Sequence, residues 1–175
     1  MTPTQRTATA WTLLLVLVVA GTSGCTRFLP EHPAPPPLGA RFDGDTLVVK
    51  FPMCPTDEVR RVEVYDWDAA EDDSPVALWW ASDPTVSTIR EDGVVPLWTG
   101  EGFTHHIAPR PAATAATTLD VSYTAPDGNG VDGVLPLTEI ERASLGEGEY
   151  WTSDGPRTAT EIDARLDCGT GAPNS

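Results

Sequence analysis

Residues 119–135 read LDVSYTAPDGNGVDGVL, and this stretch decides the fold. Its first part alternates Leu119, Val121 and Tyr123 with polar residues. Alternation at period two is typical of a strand with one buried face. Residues 127–130 (DGNG) follow, and a second stretch with valine and leucine completes the segment. Because Gly, Asn and Asp suit the backbone of tight turns, the segment predicts a β-hairpin.

Four other runs show the same alternation over five to eight residues and end in Gly, Pro, Asp or Asn. Several such runs with turn signals between them predict a mainly β domain, built as a sandwich or a barrel. The positions on one side of these runs are Leu47, Val49 and Phe51; Val62 and Val64; Val76, Leu78 and Trp80; and Phe103, His105 and Ile107.

Residues 145–150 (LGEGEY) resemble the tyrosine corner of immunoglobulin-like and fibronectin-type domains, with Leu, Gly and Tyr at matching spacing. In that motif the Tyr hydroxyl bonds to backbone across a corner between strands. The resemblance implies an immunoglobulin-like or fibronectin-like β-sandwich.

The segment 158–168 has two interpretations. Its apolar residues alternate with charged ones as in a final strand, whereas Thr158 and Glu161 match a capping box and Gly169 could end a short helix. The sequence leaves open whether the sandwich ends in a strand or in one short C-terminal helix.

The first 24 residues predict an export signal. Arg6 supplies a basic start, the run WTLLLVLVVA spans 11–20, and small residues follow. This order is that of a secretory signal, and the run is about half of the ~20 residues that span a bilayer.

Cys25 follows Gly21, Thr22, Ser23 and Gly24 directly after the apolar run. This arrangement resembles the lipobox of bacterial lipoproteins. The resemblance implies that Cys25 receives a diacylglycerol group and becomes the first mature residue, although Thr22 stands where a Leu-like residue is commonest. The alternative is ordinary secretion, with cleavage near Ala20 or Gly21.

Residues 25–40 predict a spacer, because five prolines lie between Pro30 and Pro37 and favour polyproline II. At about 3.1 Å per residue, such a spacer could hold a domain ~40 Å from a membrane. We therefore divide the chain into a signal (1–24), a lipidated N-terminus with spacer (25–40), a β-rich domain (41–169) and a disordered tail (170–175). This layout, with ten arginines and a single lysine, resembles small exported lipoproteins of high-GC actinobacteria.

If Cys25 is lipidated, Cys54 and Cys168 remain. Exported proteins meet an oxidising environment, so this pair predicts one disulfide. Two buried free thiols are the alternative.

The charge limits the partners. The chain has 26 acidic and 11 basic residues and a formal charge of −15. Carboxylates repel phosphates, so we expect no nucleic-acid partner and no attraction to anionic lipid headgroups.

The sequence offers no catalytic signature such as GxSxG, HExxH or a P-loop, and we expect no cofactor. His105 is expected to be buried beside Phe103, and His106 to face solvent. Asp127, Asn129 and Asp132 form a weak calcium candidate, because one oxygen position is Val131 and no Glu follows at Thr138. We therefore assign no metal.

Trp79 and Trp80 are adjacent in a predicted strand, so one of them faces out unless both sides are covered. An exposed Trp near carboxylates is a candidate ligand contact.

Two functions follow from these features. The first is a lipid-anchored, non-catalytic β domain on the extracytoplasmic face of the cell membrane, which binds an envelope partner or supports the envelope. The second is a module that binds carbohydrate or cell-wall polymer through an exposed Trp. A third hypothesis is an envelope hydrolase with paired carboxylates.

Overall fold

The computed structural model describes residues 37–69 and 76–168, which form ten strands, three short α-helices and one 3-10 helix at Pro111–Thr114. The strands are β1 Gly39–Asp43, β2 Thr46–Lys50, β3 Arg61–Asp66, β4 Trp79–Pro84, β5 Val94–Pro96, β6 Phe103–His106, β7 Thr118–Thr124, β8 Gly130–Pro136, β9 Glu149–Tyr150 and β10 Arg157–Thr158. The helices are α1 Ser87–Arg90, α2 Leu137–Arg142 and α3 Ala159–Asp163.

The hairpin predicted from residues 119–135 is confirmed. Strands β7 and β8 pair antiparallel, from Thr118 opposite Pro136 to Thr124 opposite Gly130. In the turn between them, the Asp127 carboxylate accepts a bond from the Asn129 backbone N–H (3.0 Å). The hairpin therefore rests on the turn chemistry that the sequence indicates.

Two antiparallel sheets give the mainly β fold. One has the strand order β1-β2-β5 and the other the order β6-β4-β3-β7-β8. With β6 set aside as an added edge strand, these orders correspond to strands A-B-E and C′-C-F-G of an immunoglobulin-like sandwich. The predicted fold class is confirmed.

The main core lies between the two sheets. It is filled by alternate residues of the facing strands, which are completely or almost completely buried. Side-chain alternation directs these residues inward from each strand. The sheet residues at its centre are Leu47, Val49, Val62, Val64, Trp79, Ala81, Val95, Leu119, Val121 and Leu135.

Strand β2 is buried on both faces. Leu47 and Val49 enter the main core, whereas Val48 packs on the other side with Tyr150 and Ile162. The hairpin β9-β10 and the helix α3 supply this second cluster. A third layer therefore covers the outer side of the three-stranded sheet.

The third layer is joined to the sheet by backbone and side-chain bonds. Trp151 and Ala40 exchange two backbone hydrogen bonds, of 2.9 and 2.8 Å. A Cβ on Gly39 would overlap the side chain of Ile162, so this close approach requires glycine.

The C-terminal segment is a helix, which resolves the ambiguity in residues 158–168. Thr158 caps α3, and Thr158 and Glu161 form both bonds of the capping box. The predicted disulfide is also present: Cys54 and Cys168 are bridged with their Cα atoms 5.5 Å apart. Among the described residues, no helix has both the length and the hydropathy needed to cross a membrane.

Residues 145–150 do not occupy a tyrosine-corner position. Tyr150 lies in β9, after the last strand of the five-stranded sheet, whereas the strand that corresponds to F is β7. Tyr150 instead packs in the second cluster, with the Arg41 guanidinium 4.7 Å from its ring centre. The assignment of residues 145–150 to a tyrosine corner is therefore wrong, although the predicted fold class is right.

Candidate functional site

The solvent-facing side of the five-stranded sheet, which we call the outer face, carries the candidate site. The pairing register sets its members, because residues directly opposite each other in neighbouring strands share a face. All are half-buried or exposed. The outer face consists of Arg61, Glu63 and Tyr65 of β3, Trp80 and Ser82 of β4, Asp120, Ser122 and Thr124 of β7, and Asp132 and Val134 of β8.

Arg61 and Trp80 form a stacked pair near one end of the outer face. The Arg61 guanidinium carbon lies 4.2 Å from the centre of the Trp80 ring. Arg61 Nη2 also donates to Glu63 Oε1 at 2.9 Å. The cation–π contact and the ion pair together fix the plane of the guanidinium, so its remaining N–H groups are oriented for a ligand.

Asp120 and Asp132 make another part of the outer face acidic. Burial raises the pKa of Asp120, and the nearby Asp132 carboxylate raises it further. Among the described residues, nothing donates a hydrogen bond to the buried Asp120 Oδ1. A ligand with a donor group could satisfy this oxygen.

Tyr65 lies directly opposite Asp120 on the neighbouring strand. Burial raises the pKa of the Tyr65 hydroxyl, and the adjacent Glu63 carboxylate contributes to the rise. The hydroxyl therefore stays protonated at neutral pH. The outer face thus offers a guanidinium, hydroxyls, carboxylates and two half-buried aromatic side chains.

Only one of the two adjacent tryptophans reaches this surface. Trp79 is completely buried and packs edge-on against Trp98 and Phe103, with ring centres 6.2 Å apart in both pairs. Trp79 is therefore not a ligand contact, which corrects half of the predicted pair. Trp80 faces out, as alternation requires, but Arg61 lies over its ring.

The calcium candidate spans two parts of the β7–β8 hairpin, with Asp127 and Asn129 in the turn and Asp132 in β8. Both carboxylate oxygens of Asp127 accept bonds from Asn129, at 3.0 and 2.7 Å. Asp132 lies in β8 opposite Ser122. Among the described residues, no three His, Cys, Asp or Glu side chains are placed to hold a metal ion.

Two of the three histidines, His105 and His106, lie in the described part of the chain, on the edge strand β6, and both are exposed. The expectation that His105 is buried is wrong, because its side chain is 64% exposed and its Nε2 lies 4.0 Å from Asp83 Oδ2. Of the other predicted site residues, Cys25 lies outside the described residues, and Cys54 and Cys168 form the disulfide.

The sequence did not single out Arg61, Arg60 or Asp83. The arginines begin β3 or directly precede it, and Asp83 has a left-handed backbone with φ +56°. The only sequence feature that could have indicated them is the pair Arg60-Arg61, because the chain has few basic residues.

Comparison with protein-family models, curated proteins and solved structures gives no match for this chain.

Proposed function

We propose that this chain is an exported, lipid-anchored protein whose β domain binds a component of the cell envelope without catalysing a reaction. The anchoring half of the proposal rests on the sequence before β1, which begins at Gly39, so the spacer ends before residue 40, where the sequence had placed its boundary. A lipobox-like Cys25 after a short apolar run, followed by a proline-rich spacer, would place the domain on the extracytoplasmic face of the membrane.

The outer face supports the binding half of the proposal. The other sheet is covered by β9-β10 and α3, whereas the outer face turns half-buried and exposed side chains to solvent. The single observation that carries this proposal is the Arg61–Trp80 stack, with Glu63 bonded to the guanidinium. Aromatic and arginine side chains held in place are typical anchors of binding surfaces.

Fractionation tests the anchor. In the native host, the wild-type protein should sediment with membranes, and a Cys25→Ala variant should be found in the soluble or secreted fraction. Retention of Cys25→Ala in the membrane fraction would show a different anchor. Mass spectrometry of the wild-type N-terminus checks acylation directly.

Site-directed photocrosslinking tests the surface. Ser122 lies in β7 between Glu63 of β3 and Asp132 of β8, at the centre of the outer face. A photoreactive residue at Ser122 should capture a discrete envelope partner. The same residue at Glu141, exposed on α2, is the matched control. Equal capture at both positions, or none at Ser122, would contradict the assignment.

A second candidate function is binding of carbohydrate or cell-wall polymer. It is favoured by hydroxyl, carboxylate and guanidinium groups that lie beside the half-buried Trp80. Sedimentation of the protein with purified wall polysaccharide tests it, and absence of retention would remove it.

A further inference from the structure

Two adjoining cavities open at the end of the outer face where β3 and β4 meet the β7–β8 turn. Their volumes are about 340 and 400 Å³, and both are lined by Arg60, Asp83 and Pro126. Arg61 and Ser82 also line the first cavity, so it continues the outer face. We call the two cavities together the Arg60–Asp83 groove. Both are open depressions of the surface, and their volumes lie at the lower end of the range of small-ligand sites.

From this groove we infer that the domain binds an uncharged saccharide, with Arg60 donating to the sugar hydroxyls and Asp83 accepting from them. The inference rests on the second candidate function and names its site and ligand class.

The two side chains stand on a fixed backbone. The Asp83 N–H donates to the Arg60 carbonyl at 2.8 Å, and the Asp83 carbonyl accepts from Thr104 Oγ1 at 2.9 Å. Asp83 also adopts a left-handed conformation, which costs free energy and persists only where the surroundings impose it. The backbone that carries the groove is therefore fixed before a ligand arrives.

The polar atoms of the groove fit hydroxyl groups, which both donate and accept. Among the described residues, the Arg60 guanidinium makes no ion pair or side-chain hydrogen bond, whereas Arg61 and Arg90 bond to Glu63 and Glu91. Asp83 Oδ2 accepts from Ser82 at 3.1 Å, which leaves Oδ1 for a ligand. A guanidinium fork and a carboxylate on one groove can bridge neighbouring hydroxyls of a sugar ring.

Charge selects an uncharged sugar over an acidic one. The walls of the groove carry three arginines, Arg60, Arg61 and Arg90, against the carboxylates of Glu58 and Asp83, so one positive charge remains locally. The whole chain carries −15, and this field repels polyanions at long range. An uncharged polysaccharide meets no such barrier.

Trp80 acts through Arg61 in this site. Its ring lies beneath the guanidinium, at 4.2 Å, so it positions Arg61 as a wall of the groove. Trp80 is two residues from Ser82 on the same strand face, about 7 Å away. Loss of the ring should loosen the wall, with a smaller effect than loss of Arg60 or Asp83.

Affinity measurements on immobilised polysaccharides test the inference. The purified domain is applied to a β-glucan, a mannan and a galactan, and to polygalacturonate as the acidic probe. Wild type should bind at least one uncharged polymer and not polygalacturonate. Arg60→Gln and Asp83→Asn should each weaken binding about tenfold or more, as expected when a hydrogen bond to a charged group is lost.

Matched controls make the same chemical changes elsewhere: Arg142→Gln in α2 and Asp45→Asn in the β1–β2 turn should bind like wild type. Asn tolerates a positive φ, so Asp83→Asn should keep the fold, and thermal unfolding checks this. Binding to polygalacturonate alone, or to none of the uncharged polymers, would overturn the inference.

A variant outside the groove shows whether carbohydrate binding and the groove stand or fall together. If Tyr65→Ala abolishes binding to an uncharged polymer while Arg60→Gln and Asp83→Asn do not, carbohydrate binding stands and the groove is the wrong site. Crosslinking at Ser122 tests the primary proposal independently of every saccharide result.

Discussion

Lys50 in β2 and Asp163 in α3 form an ion pair across 113 residues of sequence, with the lysine side chain 1% exposed and the aspartate 36% exposed. Lys50 Nζ also donates to the Phe51 carbonyl at 2.7 Å, and Asp163 Oδ1 accepts from the Met53 N–H at 2.9 Å. The pair therefore joins the third layer to the central strand. The cysteine bridge from Cys54 joins the same two regions.

Replacing Asp163 should destabilise the domain more than replacing Lys50. Asp163→Ala leaves a buried ammonium without its partner and should lower the free energy of unfolding by about 3–5 kcal/mol. Lys50→Met removes the buried charge and leaves Asp163 partly hydrated, so it should cost less. Urea unfolding measures both, with exposed Asp167→Ala as control. Equal losses for Asp163→Ala and Lys50→Met would contradict this account.

Removal of the disulfide should destabilise the domain as a whole. The bridge closes a loop with a sequence separation of 114 residues. The chain-entropy model assigns a loop of this size roughly 4–5 kcal/mol, an upper figure for measured bridges. The double variant Cys54→Ala/Cys168→Ala should unfold at lower urea, and wild type in reductant should match it. Two titratable thiols from these cysteines in native, unreduced protein would refute the bridge.

Asp120→Asn should stabilise the protein at neutral pH. The folded state raises the pKa of Asp120 above 3.8, mainly by burial. Between the unfolded and the folded pKa the native state binds more protons, so stability falls as pH rises through that window. The gain in stability of Asp120→Asn over wild type should reach its maximum above the folded pKa and vanish below about pH 4. Melting temperatures between pH 3 and pH 7 measure it, and a gain that persists at pH 3 would argue against the mechanism.

Glu161→Gln should show the opposite dependence on pH. Bonds from Thr158 lower the pKa of Glu161 below 4.5, so the native state favours the carboxylate. Its contribution is present above the unfolded pKa and is lost as pH falls through the folded pKa. The variant should therefore melt below wild type at pH 7 and approach it in acid. Glu139→Gln, also in a first helical turn but with no resolved capping bond, is the control.

The sequence predicted the strands that have one buried and one solvent-facing side. Strands β3 and β7 alternate buried and half-buried residues, and this pattern is visible in a single chain. Strand β5 was not predicted because it has only three residues, and β1 because its pattern is not alternating. Both strands pair with β2, which alternation did predict, but no local pattern indicates that β1 and β5 are its neighbours.

The candidate site was only partly predictable for the same reason. Alternation required one of Trp79 and Trp80 to face out, but only the pairing of β4 with β3 decides which one. Arg61 of β3 stacks on Trp80 of the neighbouring strand β4, and a backbone hydrogen bond joins Asp83 to Arg60. Long-range register sets these contacts, whereas the capping box of α3 was readable because its residues are three apart.

The buried position of Lys50 has a consequence for protein chemistry. It is the only lysine in the chain, and the fold encloses it. Reagents that acylate amines, including the common crosslinkers, therefore find no side-chain amine on the folded domain. Such a reagent becomes a specific probe of unfolding, and capture of an envelope partner requires carboxylate or photochemical coupling instead.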